Sequence, residues 1–284
     1  MRVLRGSAAS WPREEADTAL AIGVFDGLHS GHRTVLAELR SHADRIGVIP
    51  GVVTFDPHPL SVVAPEHAPA LITDIEQRLE LFEGRGIGLV AVVAFDAATR
   101  VWSPSDFALG LLAETLRARA VLVGEDFRFG RDRTGDITVL HQLGGVGGFE
   151  TVVIPLVGAD GLASSSAVRT LIASGDVEAV AVELGRPHEV RGSMSVTPPI
   201  VTVPSGLAVP GPGRYVGYVG SATDDWVPAV VLVADNAIAV KSIDATNSVD
   251  GAPVRVRFVA RISEGLSPAA AGDAARRLLS KRGS

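Results

Sequence analysis

The sequence predicts an α/β protein: a parallel sheet covered by helices, followed by a small antiparallel, barrel-like β domain. Apolar runs alternate with helix-like segments from residue 20 to about residue 185. The runs are almost continuously apolar, as expected for strands buried on both faces of a Rossmann-like sheet. After Gly185-Arg186-Pro187 helical periodicity ends, and short alternating segments rich in Pro and Gly follow. These observations predict two domains, 1-186 and 187-284.

Helices and strands of the first domain follow from local patterns. Val35, Leu36 and Leu39 share one face of a predicted helix at 33–45. Thr73 and Glu76 have the spacing of a capping box. Strands are predicted at 20–25, 51–55, 87–95, 120–123 and 151–156. Further helices are predicted at 73–84, 103–116, 164–173 and 176–184, and the glycine-rich stretch 144–148 is expected to be a loop.

The second domain has a different texture. Pro and Gly are dense between residues 198 and 220. Short alternating segments predict strands at 214–219, 227–233, 237–240 and 254–259, and a last helix is predicted at 267–279. The pattern fits a small antiparallel barrel or a sandwich.

Composition narrows the classes of function. The chain has no cysteine, which excludes disulfides and thiolate catalysis. Its net charge of −6 argues against general nucleic-acid binding. No stretch has the length and apolar character of a membrane span, and the N-terminus lacks the apolar core of a signal peptide. We therefore expect a cytoplasmic protein without a nucleic-acid or membrane partner, and leave its oligomeric state open.

The stretch 23–32 is the first candidate site. A strand that turns through glycines into a helix presents free N–H groups and a positive dipole end, where an anion can bind. His29 and His32 can donate hydrogen bonds to phosphate oxygens. The alternatives are a solvated or capping pair and a metal site, but two histidines without a third ligand make a poor zinc site, so no metal site is predicted.

The lysines of the chain set a limit on how phosphate can be bound. They are Lys241 and Lys281 alone, so phosphate binding earlier in the chain must rest on Arg, His and backbone amides. No P-loop, no Gly-x-Gly-x-x-Gly fingerprint and no Gly-x-Ser-x-Gly elbow occurs. Their absence argues against P-loop enzymes, conventional dinucleotide sites and hydrolases with a nucleophile elbow.

Three further polar clusters are predicted at the carboxyl edge of the sheet, where parallel sheets bind ligands. Residues 56–59 could be a stiff wall for a flat ring or a rigid exit from a strand. The loop 124–136, with three arginines and two phenylalanines, could hold an anionic planar ligand or be a solvated hairpin. Residues 164–169 could be a helix cap or a phosphate cradle.

Four motifs stand in order along the chain: Gly23-x-Phe25-Asp26-Gly27-x-His29-x-Gly31-His32, Phe55-x-Pro57-His58-Pro59, Gly124-x-Asp126-Phe127-x-Phe129-Gly130 and Ser164-Ser165-Ser166-x-Val168-Arg169. Together they resemble the bacterial FAD synthetases, usually fused to a riboflavin kinase module. The first is similar to the His-x-Gly-His signature of the nucleotidyltransferase superfamily. The resemblance covers residues 20 to about 187. It implies FMN adenylyltransferase activity, with ATP and FMN as substrates, FAD and pyrophosphate as products, and Mg2+.

The resemblance also implies roles for single residues. It makes His29 and His32 the catalytic pair that contacts the ATP phosphates. The nucleotide-binding residues it implies are Gly23, Phe25, Asp26, Gly31, Asp126, Ser164, Ser165, Ser166 and Arg169. The flavin-binding residues it implies are Phe55, Pro57, His58, Phe127, Phe129 and Arg131. Ser166 stands where the family often has Thr, and Asp126 where it often has Asn; both variations are compatible with the family.

The C-terminal part departs from the family. The kinase signature Gly-Phe-Pro-Thr-Ala-Asn is missing, and Ser195-Val196-Thr197-Pro198-Pro199-Ile200 stands in its place. No acidic residue convincingly fills the position of the kinase base. The sequence therefore predicts a degenerate barrel without riboflavin kinase activity. Two alternatives stay open: a nucleotidyltransferase that uses another phosphorylated acceptor, and a catalytically silent flavin-binding protein.

Overall fold

The computed structural model describes residues 1–155, 164–221, 225–234, 237–242 and 250–262. The chain forms two compact units. The first consists of Met1–Pro69 and Ile75–Asp160, and the second of Ala70–Asp74 and Gly161–Ser284. The helix predicted at 267–279 lies outside the described residues. Among the described helices, none is both long enough and apolar enough to cross a membrane.

The first unit is built on a six-stranded parallel sheet, which confirms the predicted fold class. Its strands are β1 (Arg2–Gly6), β2 (Thr18–Ile22), β3 (Ile49–Asp56), β4 (Leu89–Ala94), β5 (Ala118–Gly124) and β6 (Glu150–Ile154). Their order is β1-β4-β3-β2-β5-β6, and all neighbours are parallel. The edge strand β1 was not predicted, because arginines at two of its five positions hide its strand pattern.

Helices cover both faces of the sheet. They are α1 (Ser30–Ile46), α2 (Pro59–Val63), α3 (Ile75–Glu83), a π-helix (Asp106–Thr115) and α4 (Ile137–Gly147). Two apolar clusters, one on each face, hold these layers together. One contains Leu20, Val53 and Val121, and the other contains the residues next to them, Ala21, Val52 and Leu122. Neighbouring strand residues thus alternate between the faces, as the pleat requires.

The expectation of a loop at 144–148 is wrong. Residues up to Gly147 form the end of α4, which begins where the Asp136 carboxylate accepts the Val139 N–H at 2.9 Å. Glycine is needed here for close packing: a Cβ on Gly144 would lie 2.7 Å from the Phe149 carbonyl oxygen, and one on Gly147 3.0 Å from Ala113 Cβ. A run of glycines therefore marks a tightly packed helix end in this chain.

The strand order creates a topological switch point. From β2 the chain adds β3 and then β4 on one side, and then crosses to add β5 on the other side of β2. The carboxyl ends of β2 and β5 therefore face an opening between connections that leave in opposite directions, the usual ligand site of such sheets. The segments that leave these two strands are the turn 23–32 and the loop 124–136.

The second unit contains a closed antiparallel barrel preceded by two helices. The helices are α5 (Ser165–Ser174) and α6 (Val177–Leu184), close to their predicted positions. The strands are β7 (His188–Val196), β8 (Pro199–Thr202), β9 (Gly213–Gly220), β10 (Trp226–Ala234), β11 (Ala237–Ser242) and β12 (Pro253–Ile262). They close in the order β10-β11-β8-β7-β12-β9, a barrel rather than a sandwich. β7 and β8 were not predicted, and apolar side chains such as Val201, Val231 and Phe258 form the core.

Candidate active site

The turn between β2 and α1 has an unusual backbone. Phe25, Gly27 and Leu28 all have positive φ, at 54°, 79° and 46°. For Phe and Leu this conformation costs on the order of 1–3 kcal/mol each, so it persists only where packing enforces it. Both side chains are buried, at 2% and 0% exposed, and Phe25 packs edge-on against Phe82 at 5.7 Å. The packed turn delivers His29 to the N-cap of α1.

His29 and His32 form a stacked pair at the start of α1. Their ring centroids lie 3.8 Å apart at an interplanar angle of 23°, and the edge of Phe25 meets His32 at 5.1 Å. His32 Nδ1 is buried and has no hydrogen-bond partner among the described residues. An unpartnered polar atom at the N-terminus of a 17-residue helix is what an anion-binding site requires.

The surroundings of His32 set its charge. Burial, and next the positive charge of His29, lower the pKa of His32 well below its ordinary value of 6.5. His32 is therefore a neutral imidazole at neutral pH in the free protein. A phosphate close to the ring would oppose the effect of the His29 charge and raise the pKa of His32, because an anion stabilises the imidazolium form. The pair can thus respond to negative charge that arrives or develops beside it.

Arg78 is a residue near this turn that the sequence reasoning missed. Its guanidinium Nη1 donates to the carbonyl of Val24, at the start of the turn, at 2.8 Å, and to Thr54 Oγ1 at 3.2 Å. A signal for it exists in the sequence. On α3 a charged residue occupies a position between Ile75 and Phe82 that the helical spacing assigns to the buried face.

The predicted flavin residues after β3 form a rigid exit from the strand. Phe55 meets Phe95 edge-on at 5.9 Å. Asp56-Pro57 is a cis peptide, and His58 Nδ1 accepts the Leu60 N–H at 3.1 Å, which caps α2. The capping bond fixes the His58 ring, so this segment presents fixed surfaces rather than mobile side chains.

The loop after β5 is also well ordered by packing. Phe127 stacks on Phe129 at 5.3 Å and 13°. Phe129 is 6% exposed and exchanges two backbone hydrogen bonds with Gly135, at 3.0 and 2.9 Å. Arg131 is exposed, and its backbone N–H donates to the Trp102 carbonyl at 2.7 Å. Asp126 is exposed at the start of the loop. Phe129 thus supports the loop from the core, while the side chains of Asp126 and Arg131 are exposed.

Phe55 and Phe127 pack against the same apolar cluster. Both are partly buried and pack, together with Trp102, against the apolar cluster on one face of the sheet. The two motifs predicted to line the flavin side therefore rest on the same support. Phe25 packs against the cluster on the opposite face.

The fourth motif belongs to the second compact unit. Ser164 Oγ accepts the Ala167 N–H at 3.1 Å and caps α5, as the simpler interpretation expected. Arg169 Nε donates to the Ala70 carbonyl at 2.7 Å. The structure thus gathers the other predicted site residues in the first unit, and Ser164, Ser165, Ser166 and Arg169 in the second.

Residues 195–200, where the family's kinase signature is expected and is missing, form a tight hairpin. β7 and β8 pair through Ser195–Ile200 and Val196–Pro199, so that only Thr197 and Pro198 connect them. Within the described residues, no group of three or more His, Asp or Glu side chains is placed so that it could hold a metal ion.

Comparison with known proteins gives the family of these motifs. The family model described as FAD synthetase matches residues 11–168. The chain is 36% identical over 193 residues to the bifunctional riboflavin kinase/FMN adenylyltransferase of Pseudomonas fluorescens, covering 68% of this chain and 61% of that protein. It is 32% identical over 193 residues to the protein of the same name from Escherichia coli K12, covering 68% and 62%. The chain thus covers less than two thirds of these relatives.

A solved structure shares the fold over almost the whole chain. The crystal structure of the macrolide-efflux protein from Streptococcus pneumoniae matches with a TM-score of 0.80 at 19% identity, covering 99% of this chain and 97% of that one. At this identity the likeness concerns the fold alone.

Proposed function

Because the chain belongs to the FAD synthetase family, we propose that it is an FMN adenylyltransferase that makes FAD and pyrophosphate from ATP and FMN. The observation that carries the proposal is the stacked pair His29 and His32, with the buried, unpartnered Nδ1 of His32, at the start of α1. The pair stands at the switch point of the sheet, where an α/β protein binds its nucleotide.

The proposed reaction is an in-line displacement. A phosphate oxygen of FMN attacks the α-phosphorus of ATP and forms a new P–O bond, while the bond from the α-phosphorus to the oxygen bridging to the β-phosphate breaks. That bridging oxygen leaves with pyrophosphate. Such transfers need positioning and charge neutralisation rather than a covalent nucleophile. His29, His32 and the N–H groups at the start of α1 supply the neutralisation.

The other motif residues take the roles that the family resemblance implies. The pyrophosphate end is held by Ser164, Ser165, Ser166 and Arg169. The nucleotide also contacts Gly23, Gly31 and Asp126. Phe25 and Asp26, each 2% exposed, serve the nucleotide site by shaping the turn from inside. Phe55, Pro57, His58, Phe127, Phe129 and Arg131 form the flavin side, with Phe129 acting from behind Phe127. The rigid packing of these segments supports the proposal, because a flat ring binds best to surfaces that are already in place.

We propose that Mg2+ enters as part of the substrate, Mg·ATP. Mg2+ is usually held by substrate phosphates with one or two carboxylates rather than by a protein cage. The first unit therefore needs no cluster of acidic ligands, and the exposed Asp126 is a carboxylate at the proposed site.

We further propose that residues 187-284 are a degenerate riboflavin kinase-like barrel and that 1-186 is the transferase domain. The hairpin at Thr197 and Pro198 supports this, since it occupies the place of the kinase signature. A cytoplasmic location belongs to the same proposal. Experiment distinguishes FMN adenylyl transfer from two alternative functions: transfer to another phosphorylated acceptor, and flavin binding without turnover.

Product analysis of the purified chain tests the proposal. With ATP, Mg2+ and FMN, chromatography should show FAD and an equal amount of pyrophosphate; with ATP, Mg2+ and riboflavin, it should show no FMN. Phosphorylation of riboflavin would contradict the degenerate barrel. Pyrophosphate release only with a different phosphorylated acceptor would favour the first alternative, and tight FMN binding without pyrophosphate release the second.

A further inference from the structure

Arg78 is a buried cation that the proposed chemistry leaves without a role. Its side chain is 0% exposed and is the largest of the fully buried side chains in the described part of the chain. Burying a guanidinium is strongly unfavourable unless polar groups surround it. A chain that keeps this charge inside its first unit must therefore supply acceptors at that point.

The acceptors lie where two strands separate. β2 and β3 pair in register up to Ile22 and Val53, and the last backbone bond of this ladder joins the Gly23 N–H to the Val53 carbonyl at 3.1 Å. Beyond this backbone bond, side chains connect the segment after β2 with the end of β3. Arg78 Nη1 donates to the Val24 carbonyl at 2.8 Å and to the Phe55 carbonyl at 3.4 Å.

Thr54 completes the connection. Its hydroxyl donates to the Val24 carbonyl at 3.0 Å and lies 3.2 Å from Arg78 Nη1. Arg78 Nη2 also lies 3.9 Å from an Asp56 carboxylate oxygen. One guanidinium thus contacts the segment that follows β2 and three successive residues at the end of β3.

We infer that Arg78 is a positioning residue that couples the phosphate turn to the flavin side of the site. Val24 lies in the turn 23–32, which carries His29 and His32, and the Phe55 carbonyl directly precedes the Asp56-Pro57-His58 exit. Because one side chain holds both carbonyls, displacement of either segment must strain a hydrogen bond to the other. The inference rests on the proposed function, since it takes the two segments as the ATP and FMN sides.

Energetic coupling between the two ligands follows. Binding of a nucleotide at the turn should change the affinity for FMN, and reciprocally, because both ligands act on the same hydrogen-bonded unit. The quantity to measure is the ratio of FMN dissociation constants without and with saturating α,β-methylene-ATP, by titration calorimetry. For the wild-type chain we expect a ratio of about 5 or more.

Arg78→Lys is the principal variant. It keeps the positive charge, but an ammonium cannot reproduce the planar fork of donors that a guanidinium offers. The ratio of FMN dissociation constants should fall from about 5 to about 2 or less. This loss of roughly 2.5-fold corresponds to the low end of the contribution of a single hydrogen bond. Arg119→Lys is the matched control, because Arg119 binds Asp17 at the opposite end of the sheet and should keep the wild-type ratio.

Thr54→Val provides a second, milder variant, which removes the hydroxyl link to Val24 and leaves Arg78 in place. It should lower the ratio partly, and it carries the test if Arg78→Lys does not fold. A wild-type ratio near 1, or a wild-type ratio in a folded Arg78→Lys or Thr54→Val variant, overturns the inference. FAD formation without coupling overturns the inference alone, whereas a chain that makes no FAD and binds neither ligand overturns the proposed function as well.

Discussion

At the scale of single residues, the imidazole of His32 explains how a site without lysine can handle phosphate. The ring is buried against His29 and Phe25 and stays neutral, so it adds no permanent charge to an apolar turn. Charge can appear on it when an anion arrives, because the anion compensates for desolvation. The lowered pKa of His32 means that the free protein avoids two positive rings in stacking contact. In the proposed complex with ATP, the phosphates would favour a charged donor at this position.

The lowered pKa of His32 predicts how stability depends on pH. The unfolded chain has its His32 pKa near 6.5, whereas the folded chain has it well below. Between the two values the unfolded chain binds more protons, so the free energy of unfolding falls as pH decreases below about 6.5. His32→Gln should remove this contribution, which melting temperatures of both proteins between pH 7.5 and about 5 would measure.

The control for this measurement is His67→Gln. The His67 side chain is 76% exposed, so its substitution should leave the pH profile of the wild type unchanged. If His32→Gln and the wild type lose stability in parallel below pH 6.5, the account of His32 as a buried neutral ring is wrong.

At the scale of elements, the loop 124–136 is held by its fit to the segment before the π-helix. Gly130 has φ of +72°, and a Cβ there would lie 2.8 Å from the Pro104 backbone nitrogen. The next residue, Arg131, donates its N–H to the Trp102 carbonyl at 2.7 Å. The docking of the loop therefore depends on the absence of a side chain at one position.

Gly130→Ala should weaken FMN binding more than it weakens the fold. Gly130 has φ of 72° and ψ of 175°, a conformation almost restricted to glycine, so alanine there costs about 1–3 kcal/mol. The clash with Pro104 would also push the loop away from its support. We expect the FMN dissociation constant to rise about tenfold or more, since 1.4 kcal/mol is a factor of ten. Quenching of flavin fluorescence on titration with protein would measure it.

Gly145→Ala is the matched glycine control. Gly145 lies in α4 without a positive φ, and a Cβ added there would meet no other atom within 4 Å. Alanine also favours a helix over glycine, so FMN affinity should be unchanged in this variant. Equal FMN affinities in Gly130→Ala and the wild type would exclude this loop from the flavin side.

Sequence patterns predicted the elements whose signal is local. Strands β2 to β6 of the sheet and the capped helices α5 and α6 were predicted from apolar runs and cap residues. The glycines of α4 were misread, because their reason is contact with Phe149 and Ala113, which no local pattern contains. For the site, the turn 23–32 could be predicted, whereas the role of Arg78 depends on carbonyls of two strands that are distant in sequence.

At the scale of the whole molecule, the motif Ser164–Arg169 is organised by its own unit. Leu71 exchanges backbone hydrogen bonds with Gly206 and Ala208, both at 2.7 Å, and Arg169 holds the neighbouring Ala70. At the other end of α5, Arg261 of β12 donates to the Ser174 carbonyl at 2.8 Å. The barrel therefore stabilises the C-terminal end of α5, and this role does not require kinase activity. It could not be predicted from local sequence, because Arg261 and Ser174 are distant along the chain.

Arg261→Met tests this role of the barrel. It removes the hydrogen bond from the guanidinium to the carbonyl of Ser174, the last residue of α5, and the bond to the carbonyl of Pro212, which directly precedes β9. Hydrogen bonds from a charged donor contribute about 1.5–3 kcal/mol, so amide hydrogen exchange in the last turn of α5 should become roughly tenfold faster. Arg214→Met on the neighbouring strand β9 serves as control. Unchanged exchange in α5 would show that the barrel strand does not support this helix.

The proposal that His29 and His32 bind and neutralise the phosphates of an adenylyl transfer is tested by the steady-state rate of FAD formation from ATP and FMN, measured for the wild type and for His32→Ala. Removal of a donor aimed at developing charge lowers kcat by about 10²–10³, and ATP binding should change much less. We expect FAD formation by the wild type and a fall of that size in the variant. A wild type that forms no FAD, or a His32→Ala variant with undiminished kcat, would contradict it.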